Sequence, residues 1–203
     1  TTRDYKTAIA RHAIPFFGAD KDIKKFKKAE LLAFQKSLNL SEKGKFNVMS
    51  AMKTMIRWAY SNEEIKHIPP FPKISMGELP AIEYLPLDQQ EQILAHIPRE
   101  DAPVFRFAME YGLRIGEVCA LKRDTIKDGR IYIKRTFTRN ELRERTKTGD
   151  IRNFEITPYS QEIIDGQRHF NPFLFVHNGK PYNNEILNRI WHQAERKSGI
   201  KIK

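Results

Sequence analysis

The sequence predicts a mainly α-helical protein of two domains, with a small antiparallel β-sheet in the second domain. Apolar residues recur at three- and four-residue spacing through residues 1–68, which is typical of amphipathic helices. A segment at residues 69–80 has three prolines within four positions, which disfavours helix and predicts a linker. Residues 81–203 mix helical periodicity with short strand-like runs, so we expect a mixed second domain.

Three helices are predicted in the first domain. The first runs from Tyr5 to Phe17 and ends at Gly18, a residue that commonly terminates helices. The second covers residues 29–37, and the third begins after Ser41, whose hydroxyl is a good N-cap. In the first and third helices, lysine and arginine lie at positions that the apolar residues leave.

The second domain is predicted to combine helices with a hairpin. Residues 130–138 predict a strand with Ile131 and Ile133 on one face, and a later strand contains Phe154. Residues 143–152 lie between these strands and include a Thr-Gly-Asp turn, which indicates a hairpin tip. Helical patterns are found at residues 88–96, 102–111, 115–122, 160–167 and 183–197.

Charge and composition restrict the class of protein. The 203 residues carry 36 Lys and Arg against 25 Asp and Glu, a net charge of +11, which favours a polyanionic partner such as double-stranded DNA. A single cysteine excludes an internal disulfide, and neither a signal peptide nor an apolar run of about 20 residues is present. We therefore expect a soluble, cytoplasmic protein without a membrane partner.

Basic residues concentrate in two places. Residues 1–70 hold 14 basic and 7 acidic side chains, and residues 122–152 hold eleven basic and five acidic ones. Phosphate binding needs several cations that converge on one strip, although a solvated hairpin would also alternate apolar and charged residues. The candidate DNA-binding cations are Lys43, Lys45, Lys53 and Arg57 in the first domain and Lys134, Arg135, Arg139 and Arg145 in the second.

Two motifs and the N-terminal helices resemble one known family. Residues 111–122, Tyr-Gly-Leu-Arg-Ile-Gly-Glu-Val-Cys-Ala-Leu-Lys, resemble the first arginine box of the tyrosine recombinases, the phage integrase family. Residues 145–152, Arg-Thr-Lys-Thr-Gly-Asp-Ile-Arg, are similar to the hairpin that carries the family's lysine, which is Lys147 here. Residues 1–68 resemble the family's helical core-binding domain. The order and spacing of all three parts carry the resemblance.

The resemblance implies a DNA strand exchange in which a tyrosine attacks a backbone phosphate. A 3′-phosphotyrosyl bond forms and a 5′-hydroxyl leaves, without a metal or nucleotide cofactor. Arg114 is then implied to bind the phosphoryl transition state, because a guanidinium donates two parallel hydrogen bonds to one phosphate. Lys147 is implied to protonate the leaving oxygen as general acid. Glu117, one turn from Arg114, is expected to orient that arginine.

Other parts of the family pattern are missing from the 203 residues. After Arg114 there is neither a His-x-x-Arg box nor a tyrosine in the nucleophile's context, and the spacing match at residues 96–99 comes before Arg114 and contains a proline. Tyr182 is the tempting substitute nucleophile, but packing or capping is the favoured role. We therefore expect a fragment of a longer integrase, truncated before that box, that binds DNA and does not cut it. The intact enzyme is implied to be tetrameric on DNA. Because both domains are locally basic, we also expect them to form a clamp around the duplex.

Two alternatives stay open. The first is a DNA-binding module with an architectural or regulatory role that uses the recombinase fold without cutting DNA. The second is a metal-dependent nuclease, supported only by scattered carboxylates such as Asp124 and Asp128. Neither the six histidines nor the one cysteine shows metal-ligand spacing, so no metal site is predicted.

Overall fold

The computed structural model describes residues 2–78, 84–146 and 149–200, which fall into two compact units, Thr1–Ile82 and Glu83–Lys203. Helices predominate in both units, and short antiparallel strand pairs occur in the second. The predicted fold class is therefore confirmed. Within the described ranges, no helix has the length and apolar character needed to span a bilayer.

The first unit consists of helices. Its first predicted helix forms as three consecutive stretches, with a π-helical turn in the middle, and ends at Gly18, which has a φ of 87°. Ser41 caps the longest helix by accepting a hydrogen bond from the Gly44 amide at 3.2 Å. The elements are α1 (Thr2–Ala8), a π-helix (Ile9–Ala13), α2 (Ile14–Phe17), a 3-10 turn (Ile23–Lys25), α3 (Lys28–Ser37) and α4 (Glu42–Ser61).

The core of the first unit is formed by α3, α4 and aromatic rings. Leu31, Phe34, Met49 and Ile56 are fully buried. Part of the predicted linker lies on this core, because the half-buried residues Phe71 and Ile74 pack against it. Trp58, on α4, is exposed.

Residues 84–146 and 149–200 of the second unit form five α-helices and short strands. Its helices are α5 (Leu87–Leu94), α6 (Ala102–Glu110), α7 (Ile115–Cys119), α8 (Pro158–Asp165) and α9 (Asn184–Ser198). Its strands are β1 (Ile126–Lys127), β2 (Arg130–Ile133), β3 (Thr136–Thr138), β4 (Glu141–Arg143), β5 (Arg152–Glu155), β6 (Val176–His177) and β7 (Lys180–Pro181), and Arg123–Thr125 form a 3-10 turn.

In the part of the second unit that the structure describes, the strands form three small antiparallel sheets. One has the order β1-β2-β5, and the others are the pairs β3-β4 and β6-β7. In the first sheet, Ile131 lies opposite Phe154 and Ile133 lies opposite Arg152. This register places the start of β5 beside the end of β2.

The predicted strand at residues 130–138 is interrupted. Lys134 and Arg135 lie between β2 and β3, and the two halves belong to different sheets. Ile131 and Ile133 are buried as predicted, whereas Arg135 turns toward carboxylates outside the sheet. The interruption is a correction to the sequence interpretation, since periodicity alone does not reveal where a chain changes its pairing partner.

The core of the second unit contains residues from both helices and β-strands. Ile93, Phe107, Ile131, Leu174 and Phe175 are all buried to within 2% exposure. Trp191, on α9, stacks against Phe105 with ring centroids 5.9 Å apart. This contact joins α6 to α9.

Candidate active site

The residues of the arginine box are positioned by the short helix α7, which approaches strand β3 closely. A Cβ atom added at Gly116 would lie 2.4 Å from the Phe137 carbonyl oxygen and 2.6 Å from Thr136 Oγ1. These distances are shorter than van der Waals contact, so a side chain at position 116 would force the helix away from the strand. Glycine therefore sets the separation between α7 and the β3-β4 hairpin.

Glu117 holds Arg114 at the start of α7. The carboxylate is 1% exposed, and its Oε2 accepts a hydrogen bond from the Arg114 amide at 2.9 Å. Its Oε1 accepts a second bond from Arg114 Nη1 at 2.8 Å. The same side chain thus caps the helix and orients the guanidinium, while 55% of the Arg114 side chain stays exposed.

A second arginine binds the same carboxylate. Arg152 donates from Nη2 to Glu117 Oε2, across 35 positions of sequence. Its guanidinium also lies over the Phe154 ring, 5.8 Å from the centroid, and 37% of its side chain is exposed. Arg152 was not among the predicted site residues, and only the β2-β5 pairing brings it here.

The three side chains carry a net positive charge. One carboxylate neutralises one of the two guanidiniums, so the group Arg114-Glu117-Arg152, which we call the arginine pair, has a formal charge of +1. Five N–H donors belong to each guanidinium, and both side chains are partly open to solvent. The arrangement can therefore bind an anion with oxygen acceptors, such as a phosphate group.

Lys147, the predicted general acid, lies outside the described residues. The described residues next to it are joined by hydrogen bonds. Thr146 is buried, donates from Oγ1 to the Asp150 carbonyl at 2.9 Å, and accepts a bond from the Gly149 amide at 3.2 Å.

Arg135 lies in a different ion network. Its guanidinium donates to both Asp124 oxygens, at 2.8 and 2.9 Å, and to Glu144 at 2.6 Å. Hydrogen bonding from Arg135 lowers the pKa of Asp124. This group, Arg135-Asp124-Glu144, which we call the carboxylate pair, has a formal charge of −1.

The remaining predicted cations of the second unit are at or near the surface. Lys134 lies over the Tyr132 ring at 5.3 Å. Arg139 is in the turn between β3 and β4 with a φ of 54°, and Arg145 is exposed just before the Thr146 turn.

The predicted cations of the first unit lie on or beside α4. Lys43 contacts Met76 and the Phe46 ring, and Lys45 pairs with Glu42 at 2.9 Å. Lys53 and Arg57 line a groove of about 640 Å³ between α4 and the proline-rich segment.

Tyr182 is buried and engaged within the second unit. Its hydroxyl donates to Asp101 at 2.5 Å, and His177 Nδ1 lies 3.0 Å from the same carboxylate oxygen. Burial, together with the Asp101 carboxylate, raises the pKa of Tyr182. These contacts agree with a packing role and leave the hydroxyl without access to a DNA phosphate.

Across residues 2–78, 84–146 and 149–200, no group of three His, Cys, Asp or Glu residues could hold a metal ion.

The fold is similar to those of solved integrases. The chain superposes on a lambda integrase tetramer bound to a Holliday junction with a TM-score of 0.73, at 16% identity, covering 99% of this chain and 61% of that one. For the Tn1549 transposon integrase in complex with transposon right end DNA, the TM-score is 0.78 at 18% identity, covering 100% and 74%. For a lambda integrase dimer bound to a core site, the TM-score is 0.70 at 17% identity, with 99% of this chain and 58% of that one covered. The chain thus spans about three fifths of these lambda integrase chains.

Sequence comparisons identify the family. Comparison with curated protein sequences finds no match. The family model described as "Phage integrase family" matches residues 83–203, which is more than half of the chain. The resemblance seen in the arginine box is therefore confirmed, and the chain belongs to the phage integrase family.

Proposed function

We propose that the protein containing this chain catalyses site-specific DNA recombination through a 3′-phosphotyrosyl intermediate, and that these 203 residues bind double-stranded DNA without cutting it. The observation that carries the proposal is the arginine pair, which presents two partly exposed guanidiniums on a scaffold of the integrase family. The solved integrases of similar fold are bound to DNA.

Arg114 is proposed to bind the phosphate under attack. Phosphoryl transfer concentrates negative charge on the non-bridging oxygens, so a fixed guanidinium stabilises the transition state more than the ground state. Glu117 fixes Arg114 through two hydrogen bonds, at 2.9 and 2.8 Å. Glu117 is therefore a positioning residue, since a buried carboxylate with three N–H donors has no reason to approach a phosphate.

Lys147 is proposed as the general acid for the leaving 5′-oxygen. An ammonium can give a proton to a departing alkoxide, and positioned acids contribute about 10²- to 10⁴-fold in rate.

The predicted DNA-binding cations are proposed to add contacts to the DNA backbone in each unit. We propose that residues 1–68 act as a core-binding domain and residues 81–203 as the catalytic domain, joined at residues 69–80, with a tetramer assembling on DNA. Lys53 and Arg57, which line one groove, and the exposed Arg145 are the candidates that best support backbone contacts. Arg135 is the weakest candidate because two carboxylates already hold it.

Binding to DNA tests the first half of the proposal. The affinity of the 203-residue chain for a short duplex of arbitrary sequence should fall steeply with salt, with a slope of about −0.9 per neutralised phosphate. A flat dependence would reject DNA binding. Incubation with duplex should leave no covalent adduct.

The second half of the proposal, catalysis, is tested by measuring DNA cleavage with the full-length protein that contains this chain. Arg114→Lys should lower strand cleavage by about 10²-fold or more while binding is mostly retained. Lys147→Ala should recover cleavage on a substrate with a better 5′ leaving group, and lack of recovery would remove Lys147 from the acid role. If the full-length protein forms no covalent tyrosyl adduct with DNA, the DNA-binding module with an architectural or regulatory role is favoured instead.

A further inference from the structure

We infer that Arg152 is a second phosphate-binding residue of the site, acting beside Arg114 on the DNA backbone. This role rests on the proposed DNA-binding function and adds a residue that the arginine box and the lysine hairpin do not include. Arg152 is placed by strand pairing, because Ile133 on β2 lies opposite it at the start of β5.

The Arg152 guanidinium is held beside that of Arg114. Arg114 and Arg152 each donate a hydrogen bond to the carboxylate of Glu117, so their guanidiniums are neighbours. The Phe154 ring, under the Arg152 guanidinium at 5.8 Å, limits its orientation further. Arg152 is therefore held in place before any ligand arrives, which reduces the entropy lost on binding.

The charge of Arg152 is also needed for this group to attract a phosphate. Arg114 and Glu117 alone would form a neutral ion pair, which attracts a phosphate weakly. Arg152 makes the total +1, and the buried carboxylate between the two cations reduces their mutual repulsion. Arg152 thus supplies the positive charge that Glu117 removes from Arg114.

The Arg152 guanidinium also has N–H donors that can bind a phosphate. Among the described residues, Glu117 is the hydrogen-bond acceptor found for the Arg152 guanidinium, and that contact uses Nη2. With 37% of the side chain exposed, its other donors can reach a ligand oxygen. A phosphodiester has two non-bridging oxygens and suits two adjacent guanidiniums, on one phosphate or on two consecutive ones.

Arg130 provides a matched control. It lies on β2, in the same sheet, and its side chain is 39% exposed. Its guanidinium is bonded to Asn153 at 2.9 Å and to Glu155 at 3.1 Å, away from Glu117. Arg130→Gln removes the same charge from the same sheet without touching the arginine pair.

The experiment measures binding of a short duplex of arbitrary sequence as a function of NaCl concentration. Arg152→Gln should make the slope shallower by about 0.9, the value for one phosphate, while Arg130→Gln should leave the slope unchanged. Arg152→Lys should keep the slope, because it retains the charge, and lower the affinity. An unchanged slope in Arg152→Gln would overturn the role of Arg152.

The failure of this role differs from the failure of the proposed function. If the wild-type chain itself shows no salt-dependent binding, DNA binding is rejected. If the wild type binds steeply and Arg152→Gln binds as steeply, only the role of Arg152 is rejected.

A measurement on the wild-type chain covers the case in which Arg152→Gln does not fold. The Nε–H resonance of Arg152 in a ¹⁵N-labelled sample can be assigned by its absence from Arg152→Lys. Titration with the duplex should shift this resonance and leave that of Arg130 in place. A stationary Arg152 resonance under saturating duplex would contradict the inference.

Discussion

Two arginine networks in the second unit have opposite composition. In the arginine pair, one carboxylate serves two guanidiniums, whereas in the carboxylate pair one guanidinium serves two carboxylates. Both arise in or next to the cationic stretch at residues 122–152, and by charge count alone their arginines look equivalent. The difference shows that the contacts of each cation, more than its presence, decide whether it is available to a phosphate.

Burial differs between the networks as well. Glu117 is almost completely buried, while Asp124 and Glu144 are exposed. A buried carboxylate depends on its donors because water cannot replace them, and an exposed one does not. The arginine pair is thus the positively charged network, and it is also the network expected to contribute more to the stability of the fold.

The largest predicted effect comes from removing the central carboxylate. Glu117→Ala takes away the acceptor of the Arg114 amide and of two guanidiniums, and should lower the free energy of unfolding by about 3 kcal/mol. Asp124→Ala, the matched change in the carboxylate pair, should cost less than about 1 kcal/mol because that pair is exposed. Chemical denaturation of both variants measures the difference. Equal losses of unfolding free energy in the two variants would show that the two networks contribute equally to stability.

The next effect comes from the contact beneath the arginine pair. Gly116→Ala would place a methyl group 2.4 Å from the Phe137 carbonyl oxygen, and should destabilise the unit by about 2 kcal/mol. Arg114 should also move, because α7 begins immediately after it. Gly166→Ala is the control, since its nearest neighbour would lie at 3.3 Å, which a shift of a few tenths of an ångström relieves, and its effect should be smaller than that of Gly116→Ala. Thermal denaturation that does not distinguish the two variants would contradict the close approach.

A third effect concerns Cys119, a neighbour of Glu117 on α7 that stays neutral. Burial raises the pKa of its thiol from 9.0 to about 12. Above pH 9 the unfolded thiol loses its proton and the folded one keeps it, so its stabilising contribution is complete below pH 9 and declines toward pH 12.

The slope from this thiol should approach about 1.4 kcal/mol per pH unit. Denaturation midpoints across this range measure it, with Cys119→Ala as the reference. Because Tyr182 also has a raised pKa and remains in both proteins, only the difference between them reports on the thiol. Parallel pH profiles would exclude Cys119 as the cause.

The smallest effect is expected at Arg135. Arg135→Gln removes a charge that Asp124 and Glu144 already compensate, so the slope of DNA affinity against salt should change by much less than about 0.9. Arg57→Gln, in the groove of the first unit, should change it more. Binding titrations at several salt concentrations compare the two, and a larger loss at Arg135 would reverse the order.

The sequence predicted the local part of the site better than the distant part. Arg114 and Glu117 are three residues apart at a helix start, so their proximity follows from helix geometry. Arg152 meets Glu117 only through the pairing of β2 with β5, which no local pattern encodes. The available sequence signal was the two-residue spacing of Arg152 and Phe154, which places both side chains on one face of a strand.

The fold class and the family were predicted from periodicity and motifs, and both are confirmed. The break at Lys134 and Arg135 was missed because alternation continues across it in the sequence. The roles of Lys147 and of the DNA-binding cations stay predictions.

The two tryptophans give each unit its own optical probe. Trp58 belongs to the first unit and faces water, whereas Trp191 belongs to the second and is stacked on Phe105. Their emission maxima should therefore differ, with Trp58 red-shifted relative to Trp191. With Trp58 replaced by phenylalanine, fluorescence would follow the melting of α9 and its neighbours without a signal from the N-terminal helices.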